Sequence, residues 1–163
     1  MSRPEALDWS VDNCTVAATL EIIGDRWSWL VLREAFHGIR RFDDFTVRTA
    51  IPRQVLTNRL RTFVASGLLR KVPYREAGQR SRDEYRLTEK GLDLYPALVA
   101  LQAWGDRYLA APDGPPQQFA HRDCGAPVHL VVRCERCHEV TDSRDVVGLL
   151  GPGARRRHSI ERP

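Results

Sequence analysis

Apolar positions along the chain fall at helical spacing through most of the first 110 residues. Between 14 and 24, CTVAATLEIIG places Val16, Leu20 and Ile23 one helical turn apart and predicts a helix closed by Gly24. Asp25 is placed to cap a second helix over about 26–37. Trp27, Leu30, Val31 and Ala35 give that helix one apolar stripe, and Gly38 stops it. A short helix follows at roughly 42–48 with Phe42 and Phe45 inward. Thr49-Ala50-Ile51-Pro52 then leads into another helix, expected over 52–66. Pro52 suits its first turn, where the missing N–H would have no partner anyway.

This last helix divides its residues most sharply. At roughly 100° per residue, Arg53, Gln54, Thr57, Asn58 and Arg61 share an arc of about 140°, with Leu56, Leu60 and Phe63 opposite. One edge packs, and the other offers two guanidiniums, two amides and a hydroxyl. Such groups match base edges and phosphates in a DNA major groove. A plain solvated polar face is the alternative, and the neighbouring elements count against it. After Gly67 the pattern changes to a strand, LLRKVPYR, with a mate in DEYRL at 83–87. The loop between them, REAGQRSR, carries Arg75, Arg80 and Arg82 around Gly78. Thr88 is a candidate N-cap for a long helix over 89–110, bent at Tyr95-Pro96. Its stripe of Leu94, Leu98, Leu101, Trp104 and Tyr108 is more apolar than one small domain needs.

Asp113-Gly114-Pro115-Pro116 reads as a linker. The pattern therefore predicts an α+β, mainly helical fold: a winged helix-turn-helix domain over 1–112 and a small cysteine-bearing β appendage over 113–150. GPGARRRHSIERP at 151–163 has no periodicity and is read as a disordered basic tail. There are no internal repeats.

Charge sharpens this picture. Residues 40–90 hold thirteen Lys/Arg against six Asp/Glu, a local charge of +7, whereas the whole 163-residue chain carries +4. Positive charge is thus focused on the helix and hairpin, as a phosphate-binding surface requires. The bias of Arg over Lys, 23 to 2, fits the codon usage of a GC-rich genome as well as selection. With 42% apolar residues the chain can bury a core. No apolar run approaches the ~18–20 residues that span a bilayer. MSRPEALDWS lacks the apolar stretch of a signal peptide, so a cytoplasmic, nucleoid-associated protein without a membrane partner is expected. Catalytic signatures are missing: there is no Gly-rich phosphate loop, nucleophile elbow or open His/Glu metal triad. The five histidines, at 37, 121, 129, 138 and 158, have no Ser or carboxylate in catalytic register.

Four cysteines in such a chain point to metal or redox chemistry rather than disulfides. HRDCGAPVHLVVRCERCH at 121–138 pairs His121-x-x-Cys124 with Cys134-x-x-Cys137 across a strand-like HLVVR, the two-knuckle arrangement of a zinc ribbon. The expected ligands of a structural zinc are His121, Cys124, Cys134 and Cys137, with His129 and His138 as rivals for the fourth place. A redox Cys-x-x-Cys and unligated thiols are the other readings. Cys14 stands apart, ahead of the first helix, where a helix N-terminus favours thiolate. It is a candidate redox sensor, or simply a small buried hydrophobe.

IIGDRWSWLVLRE at 22–34, RRFDDF at 40–45, VLTNRLRTFVASGLL at 55–69, EYRLTEKG at 84–91 and AWG at 103–105 occur in one order over about ninety residues. With Cys14 before them, these pieces resemble the HxlR-type family of bacterial winged-helix transcriptional regulators. The resemblance implies a homodimer whose terminal helices pack across a two-fold axis and which binds a pseudo-palindromic operator in double-stranded DNA. Arg53, Gln54, Thr57, Asn58 and Arg61 would meet bases or phosphates. Arg75, Arg80 and Arg82 of the wing would touch backbone or minor groove. In some members a cysteine at the position of Cys14 senses oxidants or electrophiles. Members often carry Ser at the start of the recognition helix, where this chain has Ile51-Pro52. A different expectation is a protein-interaction module, with a repurposed winged helix and a ribbon that docks a partner.

Overall fold

The computed structural model describes residues 8–75, 78, 80–136 and 139–157. Its elements are α1 (Thr15–Ile23), α2 (Arg26–Phe36), α3 (Phe42–Thr49), α4 (Arg53–Ala65), β1 (Leu69–Tyr74), β2 (Arg82–Leu87), α5 (Glu89–Leu92) and α6 (Tyr95–Leu109). The order helix, turn, helix, hairpin is that of a winged helix. β1 and β2 pair antiparallel from Leu69↔Leu87 to Tyr74↔Arg82. The amide of Tyr85 also donates to the Arg40 carbonyl at 2.7 Å, tying the hairpin to the α2–α3 connection.

The core lies where α2, α3 and α4 meet the base of the hairpin. Val31, Leu32 and Ala35 of α2, Phe45 of α3, and Leu56, Leu60 and Phe63 of α4 are buried, closed off by Ile23, Ile51, Leu68 and Leu69. Burying each of the larger side chains stabilises the fold by about 1.5–3 kcal/mol. α2 is buried more widely than its single stripe foretells: Ser28, Leu32 and Glu34 are inside as well. The reason is position, since α1, α3, α4, α6 and the hairpin all touch it.

Two carboxylates hold this arrangement. Asp25 caps α2, accepting from the amides of Trp27 (3.0 Å) and Ser28 (3.1 Å) and from the Ser28 hydroxyl (2.6 Å). Its other duty is across the fold, where Arg59 Nη1 of α4 reaches its Oδ2 at 2.7 Å. Glu34 has a side chain that is 0% exposed. It accepts from Arg33 Nε (2.9 Å) and Nη2 (2.6 Å) on one oxygen and from Arg48 Nε of α3 (3.0 Å) on the other. Burial alone would raise its pKa, but the hydrogen bonds and charges of Arg33 and Arg48 outweigh burial and hold it below the usual 4.5.

Glycines serve two close approaches. A Cβ on Gly24, the C-cap of α1, would lie 2.3 Å from the Leu20 carbonyl oxygen, and one on Gly91 would lie 2.3 Å from that of Leu68. Gly91 therefore lets α5 sit directly on the end of α4 and the start of β1. Thr88 caps α5 as expected, accepting from the Gly91 amide at 3.1 Å.

Three expectations are corrected. The helix read over 89–110 is two helices, because Pro96 lacks an N–H and fits only the first turn of a new one, α6. Beyond α6 the described residues form no paired strand. They contain isolated bridges, Ala111↔Gly114, Ala120↔Pro127 and Arg133↔Glu139, and one 3-10 turn, Ser143–Asp145. HLVVR thus lacks the strand ladder of a ribbon among the described residues. Residues 151–157 are also not structureless: Trp9 bridges Arg156, and Asn13 Nδ2 donates to the Gly153 carbonyl at 2.7 Å. The backbone groups of this arm find partners in the segment ahead of α1, which the sequence pattern could not show. Residues 158–163 lie outside the described residues. No helix among the described residues is long and apolar enough to cross a membrane.

Because the folded pKa of Glu34 is depressed, its contribution is present above the unfolded pKa and is lost as pH falls through the lower folded value. Glu34→Gln should cost about 1.5–3 kcal/mol at pH 7, with the gap to wild type narrowing below about pH 4. Urea unfolding of both proteins at pH 7 and at pH 3 measures this, and an equal gap at both would remove the charge from the account.

Candidate nucleic-acid interface

The apolar edge of α4 fixes what its other face can do. With Leu56, Leu60 and Phe63 inside, Arg53, Gln54, Asn58 and Arg61 are exposed and Thr57 is half-buried. Pro52 is the N-cap residue rather than part of the helix, and it supplies no side-chain cap. Just ahead of Pro52, the Ile51 amide donates to the Thr49 hydroxyl at 3.3 Å. On the outer face Gln54 Nε2 donates to Asn58 Oδ1 (3.2 Å), which pre-aligns the two amides. The Thr57 hydroxyl donates to the Arg53 carbonyl at 2.9 Å.

Arg53 is held on two sides. Its Nη1 meets Asp43 Oδ1 at 3.2 Å, and its guanidinium lies 4.8 Å from the Phe42 ring centroid. The same Asp43 presents Oδ2 to Arg82 Nη1 at 3.7 Å. The start of α4 and the base of the wing are therefore neighbours across the first turn of α3. A cleft of about 550 Å³ opens between them, walled in part by Arg41, Phe42, Tyr74 and Tyr85. In the wing, Arg75 and Arg80 flank the tip and are exposed, and Lys71 pairs with Asp83 at 3.2 Å. Glu76, Ala77 and Gln79 lie outside the described residues.

Asp43 and Phe42 are the residues that sequence reading missed. Their signal was RRFDDF, two acids inside an otherwise basic stretch. Acids in the first turn of a helix are favoured by its dipole in any case, so nothing in the sequence marks Asp43 as reaching forward to α4 and the wing.

The cysteine-bearing segment is assembled only in part. His121 Nδ1 and Cys124 Sγ come within 3.4 Å of each other, in a turn closed by the Ala120↔Pro127 bridge. Cys134 is half-buried, and the Arg133↔Glu139 bridge closes a second turn around it. Cys137 and His138 lie outside the described residues. Among the described residues no three candidate ligands converge. His129 lines a cleft between α6 and residues 115–130. Cys14 occupies the N-cap position of α1, half-buried, and its side chain makes no cap bond.

One more surface is left open. Val16 and Leu20 of α1 are exposed, as are Leu101, Trp104 and Tyr108 of α6, whose two rings lie 5.3 Å apart. The stripes read in these helices are real, but within one chain only Ile23, Leu98 and Val99 of α1 and α6 are buried.

Comparison with known proteins places this arrangement. The family model of the HxlR-like helix-turn-helix matches residues 22–113. An HTH-type transcriptional regulator of Mycobacterium tuberculosis H37Rv is 45% identical over 139 residues, covering 85% of this chain and 87% of that one. The crystal structure of PA1607, assigned as a transcription factor, superposes with a TM-score of 0.75 at 39% identity, over 85% of this chain and 95% of that one. The redox regulator HypR in its oxidised form gives a TM-score of 0.54 at 29% identity, over 60% of this chain and all of that one. The chain belongs to the HxlR-like helix-turn-helix family and is a transcription regulator of the winged-helix type, not an enzyme.

Proposed function

We propose that the protein binds a pseudo-palindromic operator in duplex DNA as a homodimer. The observation that carries this reading is the outer face of α4, where Arg53, Gln54, Asn58 and Arg61 stand exposed beside an arginine-bearing hairpin while the opposite edge is buried. α4 would enter the major groove and read bases; Arg75, Arg80 and Arg82 would hold the backbone alongside it. The exposed apolar side chains of α1 and α6 support a second copy as the dimer partner, since burying them would remove apolar surface from water. The paired amides of Gln54 and Asn58 beside exposed arginines favour this reading over a protein-docking module.

The effector reading concerns Cys14. Its place at the start of α1, the helix that exposes Val16 and Leu20, would let oxidation or alkylation of the thiol disturb the dimer, and the fold is shared with a redox regulator. Zinc is the proposed staple of the C-terminal segment. The support is chemical: His121 and Cys124 adjoin in one bridged turn, Cys134 sits in another, and the sequence places Cys137 at Cys-x-x-Cys spacing from it. Residues 121–133 are all exposed, so apolar burial contributes little to holding that stretch.

Arg61→Ala should weaken binding to the operator by about 1–3 kcal/mol. Fluorescence anisotropy at fixed salt measures this, and unchanged affinity would take Arg61 out of the interface. Diamide should release DNA from wild type but not from Cys14→Ser; release from both would dismiss Cys14 as the sensor. Elemental analysis should find about one zinc per chain in wild type and a loss of it in Cys134→Ser. Full metal content in that variant would defeat the zinc assignment.

A further inference from the structure

Asp43 is an acid in a surface built to attract phosphate, and its position is unlike that of the other acids nearby. Half-buried Asp25 and buried Glu34 tie helices together. Asp43 is 61% exposed and so is its partner Arg53, at 69%. An open pair of this kind adds little to stability, because solvent screens it. Its effect falls on what the two arginines do next.

Three contacts define that effect. Asp43 Oδ1 takes Arg53 Nη1, leaving Nε and Nη2 of the guanidinium to other acceptors. The Phe42 ring supports the plane of the same group at 4.8 Å. Asp43 Oδ2 faces Arg82 of the wing at 3.7 Å. Arg53 is thus braced on two sides at the first residue of α4, the end of a recognition helix that reaches base edges.

We propose that Asp43 is a specificity-determining residue of the DNA-binding surface, acting through Arg53 and Arg82. The proposal rests on the DNA-binding reading above. Two physical effects work in the same direction. A guanidinium already fixed by a carboxylate and a ring loses less freedom on meeting a base edge, which favours the matched sequence. The carboxylate also offsets the charge of both arginines in the absence of DNA and repels an approaching phosphate, which penalises a duplex that offers only its backbone. Removing the charge frees Arg53 and Arg82 to seek phosphates on any sequence.

The test compares two duplexes: one that wild-type protein enriches from a random-sequence pool, and a scrambled duplex of the same composition. Binding of wild type, Asp43→Asn and Asp44→Asn is measured for both across a salt series. Asp44 is exposed on the same turn and loses the same charge, so it controls for net charge alone. Asp43→Asn should bind the scrambled duplex more tightly and with a steeper salt dependence. The selected-to-scrambled affinity ratio should fall on the order of tenfold, the worth of one well-placed base contact. Asp44→Asn should keep the wild-type ratio. A ratio within about twofold of wild type in Asp43→Asn, or an equal fall in Asp44→Asn, overturns the proposal and leaves DNA binding intact. If wild type enriches no sequence at all, the DNA-binding reading fails and this inference fails with it.

Discussion

Burial of Leu56, Leu60 and Phe63 is the constraint on which the rest depends. These three side chains set the rotation of α4 about its own axis, and a rotation by one residue would swing the outer face through roughly 100°. They pack on Val31, Leu32 and Phe45, so α2 and α3 act as the template for α4. Arg59 then locks the rotation from the side through Asp25, which is itself fixed as the cap of α2. Only because that orientation is over-determined can a short run of polar residues present a constant set of donors and acceptors outward.

Charge is organised in the same spirit. The +7 of residues 40–90 is not a uniform cloud, because several of its cations already have carboxylate partners. Arg48 is spent on Glu34, Arg59 on Asp25, Arg86 on Glu84 and Lys71 on Asp83. Buried Glu34 and half-buried Asp25 fasten helices to one another, whereas Arg86–Glu84 and Lys71–Asp83 lie within the hairpin. The outward members, Arg53 and Arg82, share one exposed acid that can yield to phosphate or to a base. The cations that join helices, Arg48 and Arg59, thus differ from Arg53 and Arg82 in the burial of their partners, not in their position in the sequence.

The helices of the winged domain were legible because each carries an apolar stripe, and their ends were legible from Asp25, Thr88 and Gly38. The face of α4 was legible for the same reason. Less so were interactions made between elements. Glu34 sits on α2 among apolar neighbours and looks like a solvated charge until α3 brings Arg48 to it. Asp43 looks like a helix-dipole acid until α4 and β2 arrive on either side. The break at Asp93-Leu94 was misjudged as a bend, although Pro96 held the information. Beyond α6 periodicity ends, and sequence spacing alone gave the His121–Cys124 approach but not the arm over 151–157 that pairs with the segment before α1.

The central claim is that two copies of α4 and its wing read one duplex. Hydroxyl-radical footprinting of wild-type protein on the duplex it enriches from a random pool tests that most directly. The account predicts two related protected patches on one face of the DNA, their centres about one helical turn, or 10–10.5 base pairs, apart. A single patch, or protection without a fixed position on the sequence, would contradict it.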